Sequence, residues 1–149
     1  MREENIQEIM SNVLLLMPML NKRFLREDEL FKSENLYPSH IQILLLLSHN
    51  KQLTMSEISR EIHVINSNLT PLVDKLIKLG YLKRQPSKKD RRVVHISLTA
   101  SGKRQVEKHR IYVVELLNER LEQLTDEKVE QLKEHVKGLS DIISECIEP

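Results

Sequence analysis

Residues 81–98 read Tyr81-Leu82-Lys83-Arg84-Gln85, then Pro86-Ser87-Lys88-Lys89-Asp90-Arg91-Arg92, then Val93-Val94-His95-Ile96-Ser97-Leu98. The two outer runs are strand-like, and the segment between them is polar and basic. Two strands around a basic tip form a β-hairpin wing. Immediately upstream, Leu69, Leu72, Val73, Leu76 and Leu79 recur at helical spacing. That stripe predicts a helix from about Ser67 to Lys78, ended by Gly80 as a left-handed cap. Thr54-Met55-Ser56-Glu57 has the spacing of a capping box, so a shorter helix should run from there to about His63. Two helices joined by the brief break Val64-Ile65-Asn66, the second ended by glycine, form a helix-turn-helix.

Helices extend outward from this centre. Ile6, Ile9, Met10, Val13, Leu16, Met17, Leu20 and Phe24 place a helix over Ile6–Leu30, with a kink expected at Pro18. Pro38 starts a second helix, Ser39 to Asn50, with Ile41, Leu44, Leu45 and Leu47 inward. Downstream, Thr99-Ala100-Ser101-Gly102 opens a long helix to about Leu124. Thr125-Asp126-Glu127-Lys128 caps the last helix, whose Val129, Leu132, Val136, Leu139 and Ile143 alternate spacings of three and four. That is a heptad-like seam in need of a partner.

Composition agrees with a mostly α fold carrying a small β-hairpin wing. The chain has 149 residues, 40% of them hydrophobic and only 3% aromatic, with three Gly and five Pro. That length is one domain's worth and can bury a core. The longest apolar run, Val13 to Leu20, has eight residues including Pro18, against roughly 20 needed to span a bilayer. No membrane partner is expected. Met1-Arg2-Glu3-Glu4 puts acids before the first apolar run, unlike a secretory signal. Cys146 is the sole cysteine. An intramolecular disulfide and a cysteine-built zinc site are excluded, and a reduced, cytoplasmic setting is expected.

The net charge of +1 conceals an asymmetry. Residues 75–110 contain twelve bases and only two acids, Asp90 and Glu107, while the rest of the chain is acidic. Such a block suits a polyanion-facing surface, although a solvated helix face carries lysines too. Asn66, Ser67, Asn68 and Thr70 are the short polar side chains that the start of a recognition helix needs in order to reach base edges. Helix capping is the plainer use for any one of them. Lys75 and Lys78 suit phosphate or water. Arg91 and Arg92 at a hairpin tip suit a narrow, electronegative minor groove, and Lys88 and Lys89 suit phosphate. Asp90 could instead pair with one arginine and shape the wing. Ser39 and Thr54 could donate to phosphate, with capping as the simpler role. No phosphate-binding glycine loop, Gly-x-Ser-x-Gly or His-Glu-x-x-His is present, so an enzyme is not expected, nor is a cofactor.

Leu69-Thr70-Pro71-Leu72-Val73-Asp74-Lys75-Leu76, Gly80-Tyr81-Leu82-Lys83-Arg84, Asp90-Arg91-Arg92, Ile96-Ser97-Leu98-Thr99 and Gly102 together resemble the MarR family. These are dimeric winged-helix transcriptional regulators of bacteria and archaea, and the resemblance covers nearly the whole chain. It implies a DNA-binding lobe over about 36–100 and dimerisation helices over about 1–32 and 102–147. It also implies a homodimer on a pseudo-palindromic operator in double-stranded DNA, read here as a repressor. A small-molecule effector would release it by binding where the dimer helices meet the DNA lobe. Met17, Leu20, Tyr37 and Leu44 are pocket candidates there, with plain core packing as the alternative. The Leu-Thr-Pro-Leu segment is similar to the branch that includes organic-peroxide sensors. Those carry a reactive cysteine near the N-terminal helix, and this chain has none there. At Pro71 many family members carry an arginine. Two alternatives are a zinc-responsive regulator of the same fold, with His40 and His109 near the histidine positions of zinc-sensing relatives, and a helical protein-interaction module. His109 has Val113, not a histidine, one turn on, so structural histidines are the plainer reading and no metal is assigned.

Overall fold

The computed structural model describes residues 1–23 and 35–147. Within them the order is α1 (Arg2–Arg23), α2 (Pro38–His49), β1 (Leu53–Thr54), α3 (Met55–Glu61), α4 (Asn66–Lys78), β2 (Leu82–Pro86), β3 (Val94–Leu98), α5 (Ala100–Leu121) and α6 (Asp126–Ile147). Two compact units divide the chain: Leu25–Val113, and Met1–Phe24 with Val114–Pro149.

The first unit is built on the expected helix-turn-helix. The Thr54 hydroxyl accepts the Glu57 amide at 3.3 Å, and the Thr54 amide donates to the Glu57 carboxylate at 2.7 Å. This is the capping box, and the Thr54 amide and hydroxyl hold the Glu57 carboxyl below its usual range. The helix it opens is shorter than expected, because His63 turns left-handed at φ 54°. The Val64 amide then reaches the Ser59 carbonyl at 3.1 Å, and the Ser59 hydroxyl closes back on the Val64 carbonyl at 2.6 Å. That pattern is a Schellman stop with a histidine where glycine is usual. α4 ends the same way at Gly80, φ 79°, with the Tyr81 amide bonded to the Leu76 carbonyl at 2.9 Å.

The core of this unit joins Ile41, Leu44 and Leu47 of α2, Ile58 of α3, Leu69, Val73 and Leu76 of α4, and Leu82, Ile96 and Leu98 of the sheet. Ile43 is also fully buried while Leu45 is only half-buried, because the inward face, His40, Ile43, Leu44 and Leu47, is turned from the expected stripe. The sheet corrects the expected strand pair. It has three strands in the order β1-β3-β2, because Leu53 and Thr54 pair antiparallel with Ile96 and His95. The hairpin register sets Leu82 opposite Leu98 and Lys83 opposite Ser97. Thr99 knots this unit: its hydroxyl donates to the Gly80 carbonyl at 2.5 Å and accepts the Gly102 amide at 3.0 Å. A side chain at Gly102 would overlap the Tyr81 carbonyl, so glycine permits α5 to start here.

The second unit contains α1, α6 and the end of α5. α1 runs through Pro18 as one helix. The part of the expected N-terminal helix from Phe24 to Leu30 lies outside the described residues. Thr125 caps α6, its hydroxyl accepting the Lys128 amide at 3.3 Å. Leu132, Val136, Leu139 and Ile143 of the seam are exposed, Val136 by 58%. Ile6, Ile9, Met10 and Val13 of α1 are exposed as well. No helix among the described residues is long and apolar enough to cross a membrane.

Candidate nucleic-acid interface

The start of α4 is bare. Its N-cap is Ile65, which supplies no side-chain cap. Asn66, Ser67 and Asn68 are the first three helical residues, all exposed, and none of their side chains makes a hydrogen bond among the described residues. Capping therefore does not occupy them. The Asn68 amide is taken by the Ile65 carbonyl at 3.0 Å, which leaves the amides of Asn66 and Ser67 facing outward at the positive end of the helix. Thr70 is exposed, but its hydroxyl donates back to the Asn66 carbonyl at 2.9 Å, so it has only lone pairs to offer a ligand. Pro71 is the sixth helical residue, in the second turn. It has no amide for the Ser67 carbonyl, and that carbonyl keeps an unused acceptor beside the exposed polar side chains.

Ile65 was not a sequence candidate. It is 66% exposed at the tip of the same helix. The signal was present in the chain: a β-branched residue in the inter-helix break, outside the apolar stripe that α4 buries.

The two lysines of α4 part company. Lys78 is exposed. Lys75 is half-buried, donates to the Asn35 carbonyl and lies 5.8 Å from the centre of the Tyr37 ring. Its ammonium is thus already engaged. The Tyr37 amide donates to His40 Nδ1 at 3.0 Å, and the two rings stack at 5.8 Å. His40 is only 2% exposed. Burial pushes its pKa down, and the Lys75 charge adds to the shift. Ser39, the second residue of α2, is half-buried and is not the cap, a role Tyr37 takes.

The wing tip shapes itself through its backbone. The Ser87 amide reaches the Val93 carbonyl at 2.8 Å, and the Ser87 hydroxyl accepts the Lys89 amide at 3.2 Å. Asp90 does shape the tip, through the backbone and not through an arginine side chain: its carboxylate accepts the Arg92 amide at 2.9 Å. Lys88, Lys89, Arg91 and Arg92 are exposed, and among the described residues none of their side chains holds an ion pair. At the base of the wing, Arg84 of β2 bonds Asp74 of α4 at 2.6 Å.

The pocket candidates fall in different surroundings. Leu44 is core, and Tyr37 is exposed over Lys75 and His40. Met17 and Leu20 are exposed on α1. Among the described residues no three His, Cys, Asp or Glu side chains come together to hold a metal ion.

A bare-ended helix after a tight turn, beside a cationic hairpin, defines a winged helix-turn-helix protein. The MarR family model matches residues 36–94. The chain is 39% identical over 77 residues to the transcriptional regulator PapX of Escherichia coli, covering 50% of this chain and 47% of PapX. It is 30% identical over 114 residues to the helix-turn-helix transcriptional regulator YcgE of Bacillus subtilis, covering 76% of this chain and 73% of YcgE. A MarR family protein from Bacillus stearothermophilus has the same fold, with TM-score 0.77, 23% identity and coverage of 97% and 99%. The chain belongs to the MarR family. Both curated relatives are named as transcriptional regulators, not as enzymes. The chain spans about half the length, or less, of the first curated relatives it matches.

Proposed function

We propose that the protein is a cytoplasmic transcriptional regulator, acting as a repressor, that binds double-stranded DNA as a homodimer and is released by a small-molecule effector. The observation that carries DNA binding is the uncapped end of α4, with Asn66, Ser67 and Asn68 exposed and unbonded. Asn66 and Asn68 suit bidentate pairing with adenine, and Ser67 and Thr70 suit either base edges or phosphate. Ile65 adds an apolar tip of the kind that packs on a thymine methyl group. Arg91 and Arg92 enter the minor groove, while Lys78, Lys88 and Lys89 meet phosphates. Lys75 takes a supporting part, holding the segment before α2 against α4.

Dimerisation rests on the exposed stripes of α1 and α6. Burying one such side chain is worth roughly 1.5–3 kcal/mol, and a second copy supplies the cover. A two-fold pair then reads an inverted repeat with half-site centres about 10 bp apart.

The deciding experiment selects bound duplexes from a random pool and titrates salt on the winner. The expected result is an inverted repeat whose affinity falls roughly 10³-fold or more between about 50 and 200 mM salt. Failure to enrich any sequence, or a flat salt titration, overturns the reading.

A further inference from the structure

A cleft of about 420 Å³ opens on the sheet face that carries Lys83, Gln85 and Ser97, away from the bare end of α4. Its walls come from the end of α2 and the segment leading to β1, from β2 and β3, and from the first turns of α5. Three lysines line it, Lys51, Lys83 and Lys103, with no Asp or Glu among the lining residues. None of the three holds an ion pair among the described residues. Like charges gathered around one concavity repel each other unless an anion joins them.

Ser97 adds a hydroxyl to the same cleft. It lies directly across the strands from Lys83 and is only 9% exposed, yet its hydroxyl makes no hydrogen bond among the described residues. The hydroxyl itself opens on the cleft, free to bond a solvent or ligand oxygen. At the end of α2 the Leu45 and Leu46 carbonyls are covered by the Ser48 hydroxyl at 2.6 Å and the Asn50 side-chain amide at 2.8 Å; the carbonyl end of this helix still disfavours an anion, and the lysines must offset it. Gln52 and Gln85 add amides suited to the hydroxyl groups of a polar ligand body.

We propose that this cleft binds a small phosphorylated metabolite, a phosphate monoester whose dianion is gripped by Lys51, Lys83 and Lys103 and hydrogen-bonded by Ser97. Three ammonium groups match a dianion better than a single carboxylate, and the polar lining suits a hydroxylated body better than an aromatic one. The site shares no residue with the DNA-contacting set, so it stands or falls separately from the DNA reading.

The test is an amide-resonance titration of the full chain with glucose 6-phosphate, inorganic phosphate and glucose. Glucose 6-phosphate should shift the Lys83 and Ser97 amides with a dissociation constant of about 1 mM or tighter. Inorganic phosphate should bind more weakly at the same place, and glucose should not bind. Lys83→Gln with Lys103→Gln should weaken glucose 6-phosphate at least tenfold with the spectrum otherwise intact, and Ser97→Ala should weaken it without any change of charge. A control pair with the same charge loss, Lys128→Gln with Lys137→Gln, should leave it unchanged. Absence of shifts, equal binding of glucose 6-phosphate and inorganic phosphate, or equal loss in the control pair overturns the proposal. So does a DNA duplex that shifts the Ser97 amide where the phosphates do not.

Discussion

Asp74 and Arg84 close a 2.6 Å ion pair between the middle of α4 and the wing strand β2. It joins the two elements that carry the proposed DNA contacts. Both partners are about half exposed, so the pair contributes about 1 kcal/mol or less. A double-mutant cycle with Asp74→Ala and Arg84→Ala should find a small coupling that shrinks in high salt. Coupling above about 2 kcal/mol, or coupling indifferent to salt, would contradict an exposed pair.

Arg91 and Arg92 should matter for DNA and not for stability. Both are exposed, and the tip they sit on is held by backbone bonds and by Ser87 and Asp90. Replacing both with alanine should cost on the order of 1–3 kcal/mol of DNA affinity per lost contact, with an unchanged melting temperature. Footprinting that shows wild-type affinity would remove the groove role.

Glycine-to-alanine changes should have opposite signs at two helical positions. At Gly102 the added methyl overlaps the Tyr81 carbonyl, so Gly102→Ala should destabilise by about 1–3 kcal/mol. At Gly138 nothing lies within 4 Å, so Gly138→Ala should stabilise by roughly 0.5–1 kcal/mol. Denaturant midpoints decide both signs.

His40 makes stability pH-dependent. Burial lowers its folded pKa below the unfolded value of 6.5. Between those two pKa values the unfolded chain binds the extra proton, so stability is full above about 6.5 and falls as pH drops toward the folded pKa. His40→Gln should flatten this slope, whatever it costs at neutral pH. Persistence of the full slope in that variant would assign the dependence to another group.

The seam of α6 should control assembly. Val136→Glu with Leu139→Glu places charges on two exposed apolar positions, where they cannot unfold a lone chain by entering its core. Sedimentation should change from dimer to monomer, and protection of an inverted repeat should shrink to one half-site. A dimer that survives both changes would show that this face is not the interface.

The parts of the fold legible in the chain are those with local causes. Gly80 after a helical stripe, and Thr54 three residues before Glu57, each satisfy backbone groups within a few residues, so spacing reveals them. β1 was hidden because two residues cannot display an alternation. Ile43 and His40 were hidden because Ile43 to Leu47 is an unbroken apolar run, so spacing alone does not show which face of α2 turns inward. At the site, Asn66 directly after Ile65 reads as a cap, and only the backbone shows that the helix has already begun there. Lys75 looked free because its partner, Asn35, lies 40 residues away.

Thr54 is both the last residue of β1 and the cap of α3. This double duty determines where the chain can change length. One residue added between Leu53 and Met55 would have to flip the two-residue strand against β3 or withdraw the cap, so neither side can absorb it. Between Ser87 and Arg92 the bonds are local to the tip, and a longer or shorter hairpin leaves the paired register below it intact. Variation in wing reach is therefore available at little cost to the fold, while the distance from the sheet to the turn before α4 is held constant.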